Sequence, residues 1–120
     1  MIKVVGTAII QNDDGDFLAI RLNKEKQGGV IVPPGGKLEE DETLRECVIR
    51  EVKEELGVDI ELSSLAAVSE EYYDDGAWVF VYYNANIVAG QPKIQEPHKA
   101  IETIWVDKSQ FKNSANVYWL

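Results

Sequence analysis

The chain has 120 residues, 45% of them hydrophobic and 28% charged, with a net charge of −9. That size and balance suit one folded domain over residues 1–120 and exclude a disordered chain. The acidic excess weighs against generic nucleic-acid binding, which rests on Lys and Arg neutralising phosphates; it leaves small anionic substrates open where a bound cation reverses the local charge.

No apolar run approaches the ~20 residues of a membrane helix, so no membrane association is expected. The first residues lack a signal-peptide pattern. Cys47 is the lone cysteine, so neither a disulfide framework nor a Cys-rich zinc site is expected. A cytoplasmic setting is the resulting expectation.

In chain order, Val4 to Gln11 is a mostly apolar run that predicts a buried strand. Asn12-Asp13-Asp14-Gly15 is a turn signal. Phe17 to Leu22 predicts a second strand, and the two together predict a β-hairpin. Asn23 to Gly29 reads as loop. Val30-Ile31-Val32 is a short strand that Pro33-Pro34-Gly35-Gly36 ends in a turn.

Thr43 to Leu56 is the clearest helix. Thr43 with Glu46 fits a capping box, and Gly57 is a natural stop. Leu44, Val48, Val52 and Leu56 recur every fourth residue as an apolar stripe. Strands are predicted over Val58 to Val68, Ala77 to Val88 and Ala100 to Val106, with a loop from Gly90 to Pro97. Lys108 to Leu120 is too short and mixed to assign. Strands on both sides of one strong helix point to an α/β or α+β domain with a mixed sheet.

The chemistry concentrates between Gly36 and Val58. At 100° per residue, Glu54 lies about 60° to one side of Glu51 and Glu55 about 40° to the other, so the three carboxylates share one narrow face. Residues 39 to 55 hold eight acidic and three basic side chains. Like charges so close repel, by a few tenths of a kcal/mol per pair even when exposed. A Glu-rich helix by itself is most often a solvated face. Here the carboxylates border the apolar stripe, and the segment begins with a turn that brings backbone close to any ligand. Hard oxygen donors suit Mg²⁺, or Mn²⁺, rather than zinc.

These residues resemble the Nudix family. Its box runs Gly, five residues, Glu, seven residues, Arg-Glu, an aliphatic, any residue, Glu-Glu, any residue, Gly, an aliphatic. Here it reads Gly36, Glu42, Arg50, Glu51, Val52, Glu54, Glu55, Gly57, Val58. From the chain's own composition, the seven fixed positions coincide by chance with a probability on the order of 10⁻⁸ per window. Many members carry Gly just before the first Glu, where this chain has Asp41; a changed turn is expected there.

The resemblance implies an α/β/α sandwich around a mixed β-sheet. Relatives usually have a second helix near the C-terminus, for which Lys108 to Leu120 leaves room for a stub. It implies a hydrolase of phosphoric anhydrides in which water attacks a pyrophosphate link with the help of a divalent metal. Glu51, Glu54 and Glu55 would be metal ligands. One of them, or a carboxylate from a later loop, would be the general base. Arg50 would orient a box carboxylate, Gly36 and Gly57 would be structural, and Glu42 would bind a second metal or support the helix start.

From Gln95-Glu96-Pro97-His98-Lys99 a further ligand is expected, Glu96 ahead of Glu102. Arg21 and Lys37 sit where relatives contact phosphates, and Gly35 and Gly36 would offer backbone to the substrate. Lys24 and Lys26 are read as ordinary surface charges, His98 as a surface residue and Cys47 as a small buried hydrophobe. Trp78, Phe80 and Tyr82 share one strand face at period two and are candidates to stack on a base, with core packing expected for at least half of the aromatic group that includes Tyr72, Tyr73 and Tyr83. Asn113 and Asn116 are candidates to read a base edge.

The expected substrate is a small nucleotide, first a nucleoside triphosphate cut to a monophosphate and pyrophosphate, as in MutT-like members. The alternatives are ADP-ribose, a nucleotide sugar or a diadenosine polyphosphate, or a sensing module without turnover. Intact box carboxylates favour catalysis over sensing. A bare sheet edge or helix end would favour a homodimer.

Overall fold

The computed structural model describes residues 2–23, 28–111 and 116–120. Its strands are β1 (Lys3–Ile10), β2 (Phe17–Leu22), β3 (Ile31–Val32), β4 (Gly35–Lys37), β5 (Asp59–Tyr73), β6 (Gly76–Ala89), β7 (Ala100–Val106) and β8 (Val117–Trp119). One α-helix, α1 (Leu44–Leu56), follows β4. The larger sheet has the order β4-β1-β6-β5-β8 and the smaller β3-β2-β7. The β1–β6 pair is parallel and the other pairs are antiparallel. The fold is mixed α/β, with one α-helix among the described residues packed on a mixed sheet.

α1 forms where the sequence places it. The Thr43 hydroxyl accepts from the Glu46 amide at 3.1 Å, and the Glu46 carboxylate accepts from the Thr43 amide at 2.8 Å. Both orphan donors are satisfied reciprocally. Gly57 ends the helix at φ 72°, a left-handed conformation that glycine adopts without steric cost. Val48, Val52 and Leu56 are fully buried against Ala8, Ile10, Leu18 and Ile20, each contributing roughly 1.5–3 kcal/mol.

The hairpin expected of β1 and β2 does not form. The Asn12 carbonyl and side chain do turn the chain, but beyond it only Gln11 and Phe17 pair. β1 joins β4 and β6, whereas β2 joins β3 and β7. The burial pattern explains the split. Leu18 and Ile20 pack under α1, whereas Ala19, between them, enters a second cluster with Ile9, Tyr82 and Phe111. A strand buried on both faces lies inside a core, not on one side of a two-stranded ribbon.

Gly35 to Lys37 is likewise a strand rather than the continuation of a turn. It pairs with β1, placing Gly35 opposite Thr7 and Gly36 opposite Gly6. A Cβ on Gly35 would lie 2.2 Å from the Gly6 carbonyl oxygen, so glycine is what permits this close pairing. β5 and β6 both run longer than expected, through to a hairpin tip at Asp74 and Asp75. Where a helical stub is expected beyond β7, the described residues include a 3₁₀ turn, Lys108–Gln110, and β8 pairs with β5. Lys24, Lys26 and Asn113 lie outside the described residues. No helix among the described residues is long and apolar enough to cross a membrane.

Candidate active site

Arg50 is the hub of the charged face of α1. Its guanidinium grips Glu42 with two bonds, Nε to Oε2 at 3.0 Å and Nη2 to Oε1 at 2.8 Å. Its Nη1 donates to Glu51 at 2.9 Å and to Glu54 at 3.2 Å. Glu39 is a further 3.8 Å from it, and Nη2 reaches the Lys37 carbonyl at 3.4 Å. Glu42 in turn accepts the Glu39 amide at 2.9 Å, which closes the turn before the helix. Asp41 in that turn has φ 68°. The glycine-type conformation is thus kept with aspartate in it, one of the few residues that tolerate it.

The environments of these carboxylates differ. The Arg50 hydrogen bonds, then the Glu39 amide, hold Glu42 down at about 2. Burial raises Glu51, with Arg50 opposing. Burial also pushes Glu55 up to about 8, against a hydrogen bond from the Gly35 amide; the Glu51 and Glu96 charges add to the rise. That hydrogen bond is 2.8 Å long. It is available because β4 is an edge strand whose outer side faces α1.

Gly36 is the second contact between β4 and the carboxylates. A Cβ there would lie 2.2 Å from the Glu51 carboxyl carbon. Glycine is required here by the approach of a side chain, not by backbone angle. Cys47 lies beneath, its thiol 3.4 Å from the Gly36 carbonyl. Burial, then the Glu42 charge, pushes it up to about 11, so it stays a thiol and packs as expected.

The loop after β6 brings Glu96 to the same place. The Lys93 amide donates to the Leu56 carbonyl and the Gln95 amide to the Glu55 carbonyl, so the loop caps orphan acceptors at the helix end. Glu96 then pairs with Lys99 at 3.3 Å. Lys99 lines the cleft beside Glu51 and Glu55. It is a cation that the sequence reading missed; its only local signal is the spacing of three from Glu96.

The cleft, of about 1100 Å³, runs from Glu51 and Glu55 across β1 to an aromatic wall on β6 and β5. Trp78 and Phe80 stack there at 6.4 Å between centroids, and Tyr73 meets Trp78 edge-on. Tyr82 is buried, with its hydroxyl 3.1 Å from that of Ser69. Tyr83 packs against the core on the helix side, and Tyr72 is exposed. Glu71 and Asp75 also line the wall; nothing in the local sequence marked them.

Arg21 is not brought to the cleft. It bonds Glu102 at 3.3 Å and the Gly29 carbonyl at 3.3 Å, because β2 and β7 pair Arg21 with Glu102 in register. His98 is exposed, as expected, and Asn116 lies before β8, also exposed.

Among the described residues, no three of His, Cys, Asp or Glu form a ready-made metal cage. The reason is visible: Arg50 holds oxygens of Glu51 and Glu54, and the Gly35 amide holds one of Glu55. The donor set is nonetheless all carboxylate, crowded and under-neutralised, the chemistry that a hard divalent ion takes.

The fold is thus a mixed α/β domain whose helix carries a glutamate face against an edge strand, beside an aromatic-walled cleft. The Nudix domain family model matches residues 2–119, and the chain belongs to that family. It is 31% identical over 114 residues to putative nudix hydrolase 1 of Caenorhabditis elegans, covering 92% of this chain and 30% of that protein. It is 40% identical over 67 residues to the CTP pyrophosphohydrolase of Escherichia coli K12, covering 56% of this chain and 49% of that one. Thus it spans half or less of these two curated relatives. The crystal structure of a MutT Nudix hydrolase from Burkholderia pseudomallei superposes with a TM-score of 0.82 at 28% identity, over 94% of this chain and 88% of that one.

Proposed function

We propose that this chain is a divalent-metal-dependent pyrophosphohydrolase that cuts a nucleoside triphosphate to a monophosphate and pyrophosphate. The observation that carries this reading is a single cleft with carboxylates at one end and a stacking surface at the other. Such a cleft suits a molecule with a polyphosphate and a base. Relatives named for CTP and MutT chemistry support the triphosphate.

Glu51, Glu54, Glu55 and Glu96 are the residues that would hold Mg²⁺. The bound ion would lower the pKa of its water and offset the phosphate charge. Phosphoryl transfer needs positioning and neutralisation more than covalent help, and the chain's own groups supply both. Arg50 fixes Glu51 and Glu54 through one shared Nη1. A proton taken from the attacking water by either carboxylate leaves Arg50 paired with the other. Lys37 supplies a cation and Gly35 and Gly36 a side-chain-free edge for the phosphates.

The test is release of pyrophosphate and phosphate from a panel of normal and oxidised deoxynucleoside triphosphates, CTP, ADP-ribose, nucleotide sugars and a diadenosine polyphosphate, with Mg²⁺ and with chelator. Mg²⁺-dependent pyrophosphate release from triphosphates is expected. Turnover confined to ADP-ribose, nucleotide sugars or the dinucleotide would replace the triphosphate, and no turnover by folded protein would overturn the reading.

A further inference from the structure

The Lys37 ammonium lies over the Trp78 ring, 5.1 Å from its centroid. The ring itself is clamped. Asp75 accepts its indole N–H at 2.9 Å and also holds Lys3 at 2.9 Å. Lys3 sits 5.0 Å from the same ring, and Tyr73 and Phe80 pack around it. Lys37 differs from Lys3. Among the described residues, no carboxylate lies within ion-pair distance of it, so its visible electrostatic partner is the ring.

Its place in the sheet gives it a choice. Lys37 is the last residue of β4 and pairs with Val5, sharing the sheet face of Trp78. On one side of β4 lie β1 and then β6, so a side chain reaching inward meets Trp78. On the other side lie Glu51 and Glu55, against Gly36 and Gly35. Lys37 lines the same cleft as Glu51 and Glu55, and its ammonium sits on a flexible four-carbon stem.

We propose that Lys37 is one cation with two seats, the Trp78 ring in the free protein and the substrate's phosphates in the complex. A base stacking on Trp78 displaces the ammonium and frees it for the phosphates. Base recognition and phosphate recognition are thereby coupled through one side chain. This rests on the nucleotide reading of the cleft. It makes Lys37 an obstacle to a nucleoside and an aid to a nucleotide, two opposite effects that a simple phosphate-binding lysine would not show.

The test is equilibrium binding, with Mg²⁺, of the four ribonucleosides and of their triphosphates carrying a methylene in place of the α,β-bridging oxygen, to the wild type and to Lys37→Gln. In the free protein the ammonium competes with a base for the ring, so its removal is expected to tighten the best nucleoside by about 2–5-fold, the strength of a surface cation–π pair. The matching triphosphate is expected to weaken by at least ~10-fold, the lower end for a charge-assisted phosphate interaction. If both ligands weaken, or the nucleoside is unmoved, the two-seat role is wrong and the nucleotide reading stands. If the wild type binds neither class, both fall together.

Discussion

Replacing Glu55 by Gln is expected to flatten the pH dependence of stability of the metal-free protein. Glu55 stands at about 8 in the folded chain against an ordinary value of 4.5. A carboxyl raised on folding binds more protons folded than unfolded. Stability is therefore greatest below about pH 4.5, falls as pH rises, and has lost the whole contribution once pH passes about 8. The slope is about 1.4 kcal/mol per pH unit in that window, a cumulative loss on the order of 5 kcal/mol. The upward shift of Glu51 has the same sign. Glu42 has the opposite sign, but it titrates below the window. Subtracting the Gln variant from the wild type isolates Glu55. The assay is urea denaturation of both proteins in chelator at pH 5, 6, 7 and 8. The Gln variant should gain on the wild type by more than ~2 kcal/mol across the series, and added Mg²⁺, which favours ionised carboxylates, should reverse the wild-type trend. Parallel profiles would refute the burial argument for Glu55.

The two neighbouring glycines of β4 are expected to fail differently. Gly36→Ala meets the flexible end of Glu51, so turnover should fall at least ~10-fold while the melting temperature changes by a few degrees. Gly35→Ala meets the Gly6 backbone, so stability itself should fall by more than ~2 kcal/mol in denaturant melts; equal stability losses would contradict this. Asp41→Gly removes a left-handed non-glycine residue and should stabilise by about 0.5–1 kcal/mol, read in the same melts, with turnover unchanged. Arg50→Lys keeps a charge but loses the two-pronged grip on Glu42; kcat should fall more than KM rises, and an unchanged kcat would show that Arg50 does not orient the carboxylates.

The helix and its carboxylate face were legible because both follow from local spacing. Thr43, Glu46 and Gly57 mark the ends, and Glu51, Glu54 and Glu55 share a face by helical geometry alone. What stayed hidden depends on partners distant in sequence. Pro33-Pro34-Gly35-Gly36 reads locally as a turn; it yields a strand only because Gly6 lies opposite. β1 and β2 read as a hairpin because a turn joins them, and which sheet each enters depends on burial on both faces. Arg21 reads as a cation near the site, and only strand register reveals Glu102 as its partner. Lys99 and the Asp75–Trp78–Lys3 clamp likewise depend on tertiary proximity.

The most direct measurement is turnover of the best nucleotide of the panel by wild type and Glu51→Gln, both shown to be folded, at neutral pH with Mg²⁺. If the Arg50-bound carboxylates carry the reaction, the variant loses at least ~10²-fold in kcat. A near-normal rate would contradict the assignment of the reaction to this face of α1.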